Sequence, residues 1–126
     1  HWIPDMTELR NALVVDDHPT NRLLASALLK KMGWTVMEAE SGNTALTLAA
    51  EQPFRLVLLD ISMPGLSGEE TCAGLRSIAA SPPLHIIAYT AHAFPEDIER
   101  LLGAGFDEVL VKPINRQRLE EMVSKL

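Results

Sequence analysis

A chain of 126 residues is long enough for one domain with a buried core and leaves no room for a second of ordinary size. A net charge of −6 argues against a broad nucleic-acid footprint, which needs clustered basic residues, and the single Cys72 excludes an internal disulfide. No apolar run approaches the roughly 20 residues that span a bilayer, and the amino terminus lacks a charged start followed by an apolar signal core.

The opening His1-Trp2-Ile3-Pro4-Asp5-Met6 shows no periodicity, so residues 1–8 read as a linker or appended remnant and 9–126 as the domain. The first short apolar run, Ala12-Leu13-Val14-Val15, ends in Asp16-Asp17. Pro19 suits a first helical position, where a missing N–H costs little. Leu23, Leu24, Ala27, Leu28 and Met32 then recur at helical spacing, and Gly33 supplies the stop. Thr35 to Ala39 reads as a second strand. Ser41 to Glu51 reads as a second helix carrying Ala45, Leu46, Leu48 and Ala49, closed by Pro53.

The third apolar run, Leu56 to Leu59, delivers Asp60, and the loop Ile61 to Gly68 is rich in turn formers. A helix from Glu69 to Ile78 follows, with Gly74 an internal weakness, and Pro82-Pro83 breaks the chain before the run His85 to Tyr89, which ends in Thr90. Pro95 opens a fourth helix whose end is bracketed by Gly103 and Gly105. Val109 to Val111 runs into Lys112-Pro113, and a last helix spans Arg116 to Leu126.

Strands alternating with helical segments imply an α/β fold, a parallel sheet covered by helices on both faces. Periodicity does not fix the strand order. In such a sheet ligands sit outside the carboxyl ends of the strands, so Asp16, Asp17, Asp60, Thr90 and Lys112 are expected at one rim. Three packed carboxylates repel one another unless a cation intervenes, and magnesium takes one or two carboxylates together with waters and phosphate oxygens. One carboxylate of such a cluster can also act as a nucleophile and form an aspartyl phosphate. What remains is to neutralise the oxygens of the transferring group. The Lys112 ammonium and the Thr90 hydroxyl are suited to that.

Val14-Val15-Asp16-Asp17, Leu58-Leu59-Asp60-Ile61-Ser62-Met63-Pro64-Gly65, Gly68, Thr90-Ala91 and Lys112-Pro113 occur in order. Together they resemble the receiver domain of bacterial two-component signalling, over Leu9 to Leu126. The resemblance implies a flavodoxin-like (βα)5 fold, a doubly wound parallel sheet with strand order 2-1-3-4-5. It implies that Asp60 accepts a phosphoryl group from a phosphohistidine and that the domain catalyses its own phosphorylation and dephosphorylation. Asp17, Asp60 and the Ser62 main-chain carbonyl would ligate Mg2+ directly, with Mn2+ able to substitute, and Asp16 would act largely through water. Ala91 would keep the site accessible, while Ser62 and His92 would tune the lifetime of the phosphoryl group. For His92 the plainer reading is a solvated surface group.

The stretches Asp16 to Arg22, Ala88 to Phe94 and Gly105 to Ile114 are similar to receivers within hybrid histidine kinases. There the domain passes phosphate between a kinase histidine and a histidine phosphotransfer domain. The expected partners are therefore a histidine kinase domain, a histidine phosphotransfer domain, or both. Neither nucleic acid nor membrane is expected to touch the domain. It is expected to be a cytoplasmic monomer when isolated, even where its parent is anchored in the inner membrane. The alternatives are a free-standing response regulator acting through protein contacts and, far behind, a phosphatase working through an aspartyl phosphate. The phosphatase would want an Asp-x-Asp pair, and Asp60-Ile61-Ser62 lacks the second acid. One position departs from the family pattern: Val109 stands where Tyr or Phe is usual, three residues before the lysine. A stiff β-branched side chain has no comparable swing, so a small change on the fourth-helix face is expected on phosphorylation.

Overall fold

In the computed structural model the chain is described over residues 10–78 and 84–126. The linker 1–8, the domain start at Leu9 and the Pro82-Pro83 break lie outside the described residues. The elements are β1 (Asn11–Val15), α1 (Pro19–Lys31), β2 (Thr35–Ala39), α2 (Gly42–Glu51), β3 (Leu56–Asp60), α3 (Gly68–Ile78), β4 (His85–Thr90), α4 (Pro95–Gly103), β5 (Glu108–Val111) and α5 (Arg116–Val123). The strands pair parallel in the order β2-β1-β3-β4-β5, as the resemblance implies.

Local chemistry sets the helix ends. Ser41 accepts a hydrogen bond from the Thr44 amide (3.1 Å), and Asn115 accepts one from the Arg118 amide (3.0 Å), each satisfying a donor the first turn leaves free. Gly33 closes α1 and Gly105 follows α4, both at positive φ (94° and 112°), where a side chain would be strained.

Strand alternation sorts the core into two layers. Leu13, Val15, Val57, Leu59, Ile86 and Ala88 pack with Ala45, Cys72, Leu75 and Leu101, under α2, α3 and α4. Ala12, Val14, Leu56, Leu58, Ile87, Tyr89 and Leu110 pack with Ala25, Leu29, Leu119 and Met122, under α1 and α5. By the same alternation the carboxyl end of β3 turns Asp60 toward the α1/α5 side, while Thr90 belongs to the other.

Two expectations are corrected. The buried stripe of α1 is Ala25, Ser26 and Leu29, not the face carrying Leu23 and Leu24, which are 62% and 48% exposed. Leu24 and Leu28 keep helical spacing just as the true stripe does, so apolar identity alone selects the wrong face. Ser26 shows what the true face tolerates: its hydroxyl is buried with no hydrogen-bond partner among the described residues. The last helix stops at Val123, not Leu126, and the chain ends in a turn whose Leu126 amide donates to the Val123 carbonyl (3.1 Å). Leu126 still rests on the α1/α5 layer.

Helices α2 and α3 meet through glycines. A Cβ on Gly42 would collide with the Thr71 hydroxyl, itself committed to the Ser67 carbonyl (2.8 Å), and would crowd Leu66. Gly42→Ala is therefore expected to cost about 1–3 kcal/mol in urea unfolding. Gly74→Ala meets only the flexible end of Leu46 and should cost less. Equal midpoints for Gly42→Ala and wild type would show that the two helices separate freely.

Candidate metal and phosphoryl site

Backbone hydrogen bonds continue past the strand ends and fix the rim. The Asp16 amide donates to the Ala39 carbonyl (3.1 Å), the Ile61 amide to Tyr89 (3.1 Å) and the Lys112 amide to Thr90 (2.7 Å). The residues delivered there are held in register with the sheet rather than on mobile loops.

Asp16 is 1% exposed. Its Oδ1 accepts from the His18 amide (2.8 Å), which tightens the turn after β1, so His18 serves the turn through its backbone. The other oxygen, Oδ2, is buried with no hydrogen-bond partner among the described residues. Burial, reinforced by the charge of neighbouring Asp60, pushes the Asp16 carboxyl above its ordinary range. Asp17 is exposed on the outer side of the same turn. Asp60 is 2% exposed, and its Oδ1 accepts from the Ser62 amide (3.0 Å) and from Lys112 Nζ (3.1 Å).

One oxygen from each of Asp16, Asp17 and Asp60 can lie within 4.8 Å of the other two. Against these three acids, Lys112 is the one ammonium hydrogen-bonded to the cluster among the described residues. An unpartnered buried oxygen, an excess of negative charge and a set of hard oxygen donors fit a divalent cation. The acidic cluster can hold a metal.

Thr90, 5% exposed, stands at the same rim, but its hydroxyl is occupied. It donates to the His92 carbonyl (3.2 Å) and accepts from the His92 amide (3.1 Å), so a local turn occupies its donor and one of its acceptor positions. The side chains of Ala91 and His92 are exposed, and Val109 is half-buried against the α2/α3/α4 layer. Phe106 packs in that layer just past the end of α4.

Two further residues stand at the site without being among the expected site residues. Arg22, one turn into α1, donates through Nη1 to the Asp16 carbonyl (2.8 Å) and through Nε to Glu38 (3.1 Å), fastening the acidic turn to β2. Its spacing of three and four from Ala25 and Ser26 places it on the buried stripe, a place where a lone arginine needs partners. Tyr89 is directly opposite Asp60 in the β3–β4 register, and Lys112 Nζ sits 5.0 Å from its ring centroid.

The family model for the response regulator receiver domain matches residues 12–124. The chain belongs to the receiver-domain family. Among curated relatives, this receiver is 40% identical over 116 residues to the sensor histidine kinase GacS of Pseudomonas protegens, covering 90% of this chain and 13% of that protein. The receiver thus spans about an eighth of the relative's length. Among solved structures it is similar to the receiver domain of the sensor histidine kinase PA1611 of Pseudomonas aeruginosa, which carries a magnesium ion coordinated in its active-site cleft. That match has 30% identity and a TM-score of 0.82, covering 93% of this chain and 96% of the other. It is also similar to the receiver domain of the Saccharomyces cerevisiae response regulator Ssk1, co-crystallised with the histidine phosphotransfer protein Ypd1. There the identity is 25% and the TM-score 0.85, covering 93% of this chain and 88% of the other. Among the receiver's described residues no helix is long and apolar enough to cross a membrane.

Proposed function

We propose that this receiver is a phosphorelay module. In this reading Asp60 takes a phosphoryl group from a phosphohistidine and passes it to a histidine phosphotransfer partner or to water. The observation that carries it is the pairing of buried Asp60 with Lys112 beside an acidic cluster that has room for a cation. An Asp60 carboxylate oxygen attacks phosphorus in line, the bond to the donor histidine nitrogen breaks, and the electron pair returns to that imidazole. Lys112 moves with little displacement from Asp60 Oδ1 toward a phosphoryl oxygen. The Thr90 hydroxyl leaves the His92 backbone for another. Asp16, Asp17, Asp60 and the Ser62 carbonyl would hold Mg2+, or Mn2+ in its place, which when bound neutralises phosphoryl charge.

Ala91 leaves the approach to Asp60 open, and Ser62 and His92 line the path of the hydrolytic water. Val109 limits how far the α4 face responds. The exposed Leu23 and Leu24 begin one turn into α1, beside the acidic turn, and offer an apolar face to the histidine partner. The donor would be the kinase domain of a longer hybrid parent, and the working compartment the cytoplasm, where phosphohistidine donors are found.

Acetyl phosphate supplies the test. Incorporation that depends on Mg2+ and disappears in Asp60→Asn is expected. Folded wild-type protein that takes no phosphate from acetyl phosphate or from a phosphorylated histidine phosphotransfer protein would sink the reading.

A further inference from the structure

We propose that Tyr89 is a positioning residue that holds the Lys112 ammonium, through its ring face, in place for the acceptor carboxylate. The inference rests on the reading of Asp60 and Lys112 as the phosphoryl machinery and adds the device that aims the lysine.

The geometry follows from register. Asp60 pairs with Tyr89 across β3 and β4, and Tyr89 pairs with Leu110 across β4 and β5. Lys112 lies two residues beyond Leu110, so alternation returns it to the same side of the sheet. Asp60, Tyr89 and Lys112 therefore form a diagonal on the α1/α5 face, and the ammonium bridges the other two. It is 3.1 Å from Asp60 Oδ1 and 5.0 Å from the ring centroid.

A lysine has four rotatable carbons and no fixed direction, so a hydrogen bond to one carboxylate oxygen does not by itself aim it. Once a phosphoryl group occupies Asp60, that hydrogen bond must be exchanged for another. The ring then remains as the contact that does not change during the reaction. The ring is itself buried. It is 3% exposed and packed in the layer of Leu110, Leu119 and Met122. An ammonium over an aromatic face is attracted by the ring quadrupole, more strongly where it is partly shielded from water, as the 21%-exposed Lys112 side chain is.

Electron density in the ring is the quantity to vary. Replacing Tyr89 with phenylalanine and with successively fluorinated phenylalanines keeps the shape while draining the ring face. The saturating rate of phosphorylation by acetyl phosphate is expected to stay within about twofold for Tyr89→Phe and to fall stepwise with each fluorine, to about tenfold in all. The half-saturating acetyl phosphate concentration should change little. Tyr89→Leu removes the ring altogether. In that variant the ring-current shift of the Lys112 ε-methylene protons, expected in wild type and in Tyr89→Phe, should vanish from the NMR spectrum.

Rates independent of fluorination, or Lys112 protons at the same position with and without the ring, would overturn the proposal. The fluorinated series guards against a Tyr89→Leu variant that fails to fold. Failure of the underlying reading looks different: wild type itself then incorporates no phosphate, while the NMR shift still reports whether the ring holds the lysine.

Discussion

Lys112→Met is expected to lower Mg2+-dependent phosphate incorporation at least about a hundredfold, the scale of removing one well-placed donor to developing oxyanion charge. It should also destabilise the metal-free fold. Asp60 is almost wholly buried and its Oδ1 accepts one of its two hydrogen bonds from Lys112, so removing the ammonium leaves an uncompensated charge beside Asp16. The lysine side chain is 21% exposed, so water screens part of the loss, and about 2 kcal/mol in urea unfolding is the expected cost. Saturating Mg2+ should restore much of the stability, because a cation that binds only the folded state stabilises it by mass action. Stability recovered with activity still lost is the expected signature. A folded, metal-loaded Lys112→Met variant that incorporates phosphate at the wild-type rate would remove Lys112 from the chemistry.

Asp16→Asn should do the opposite to stability. The Asp16 carboxyl is pushed up chiefly by burial, and its Oδ2 has no hydrogen-bond partner among the described residues. Its charged form is therefore a burden on the fold. The sign follows from linkage: a folded pKa above the unfolded value means that the native state binds the proton more tightly. Stability then falls as pH rises through the interval between the two values, and the penalty is fully present at neutral pH. Removing the charge is expected to raise the metal-free melting temperature at pH 7 by roughly 4 °C, equivalent to about 1 kcal/mol. The gain should shrink as the pH is lowered toward the carboxylate range. The same change should abolish most of the Mg2+-induced rise in melting temperature. Calorimetry with and without Mg2+ at pH 7 and at pH 4 reads both effects. A metal-free melting temperature below wild type at pH 7 would mean that Asp16 supports the fold rather than burdens it.

Much of the architecture was legible because each strand is a short apolar run ending in a polar residue. Val15 before Asp16, Leu59 before Asp60 and Val111 before Lys112 all lie where the register puts them. The strand order came from the resemblance alone, since alternation says which faces are apolar and not which strands are neighbours. What escaped was orientation. Leu23 and Leu24 mark an apolar face of α1, yet the sheet receives Ala25, Ser26 and Leu29, because helical spacing of apolar residues does not by itself say which face turns inward. The hydroxyl of Thr90 sits at the rim as expected, but a backbone turn holds it, and turns of that kind are set by local dihedral angles that composition does not record. Arg22 and Tyr89 were hidden for a related reason. One acts through a main-chain carbonyl and the other through a ring face, and neither interaction has a characteristic spacing in sequence.

The single rim has a kinetic consequence. Asp16, Asp60 and Lys112 all lie at the carboxyl ends of β1, β3 and β5, so the buried acceptor stands at that one rim of the sheet. In the proposed relay, donor and recipient histidines must use the same opening. Each must leave before the other can arrive, so transfer through this domain should follow ping-pong kinetics, with parallel lines in double-reciprocal plots. An excess of unphosphorylated partner then competes with the donor. The ratio of the two proteins around the domain, as much as the reactivity of either, sets the direction in which phosphate flows.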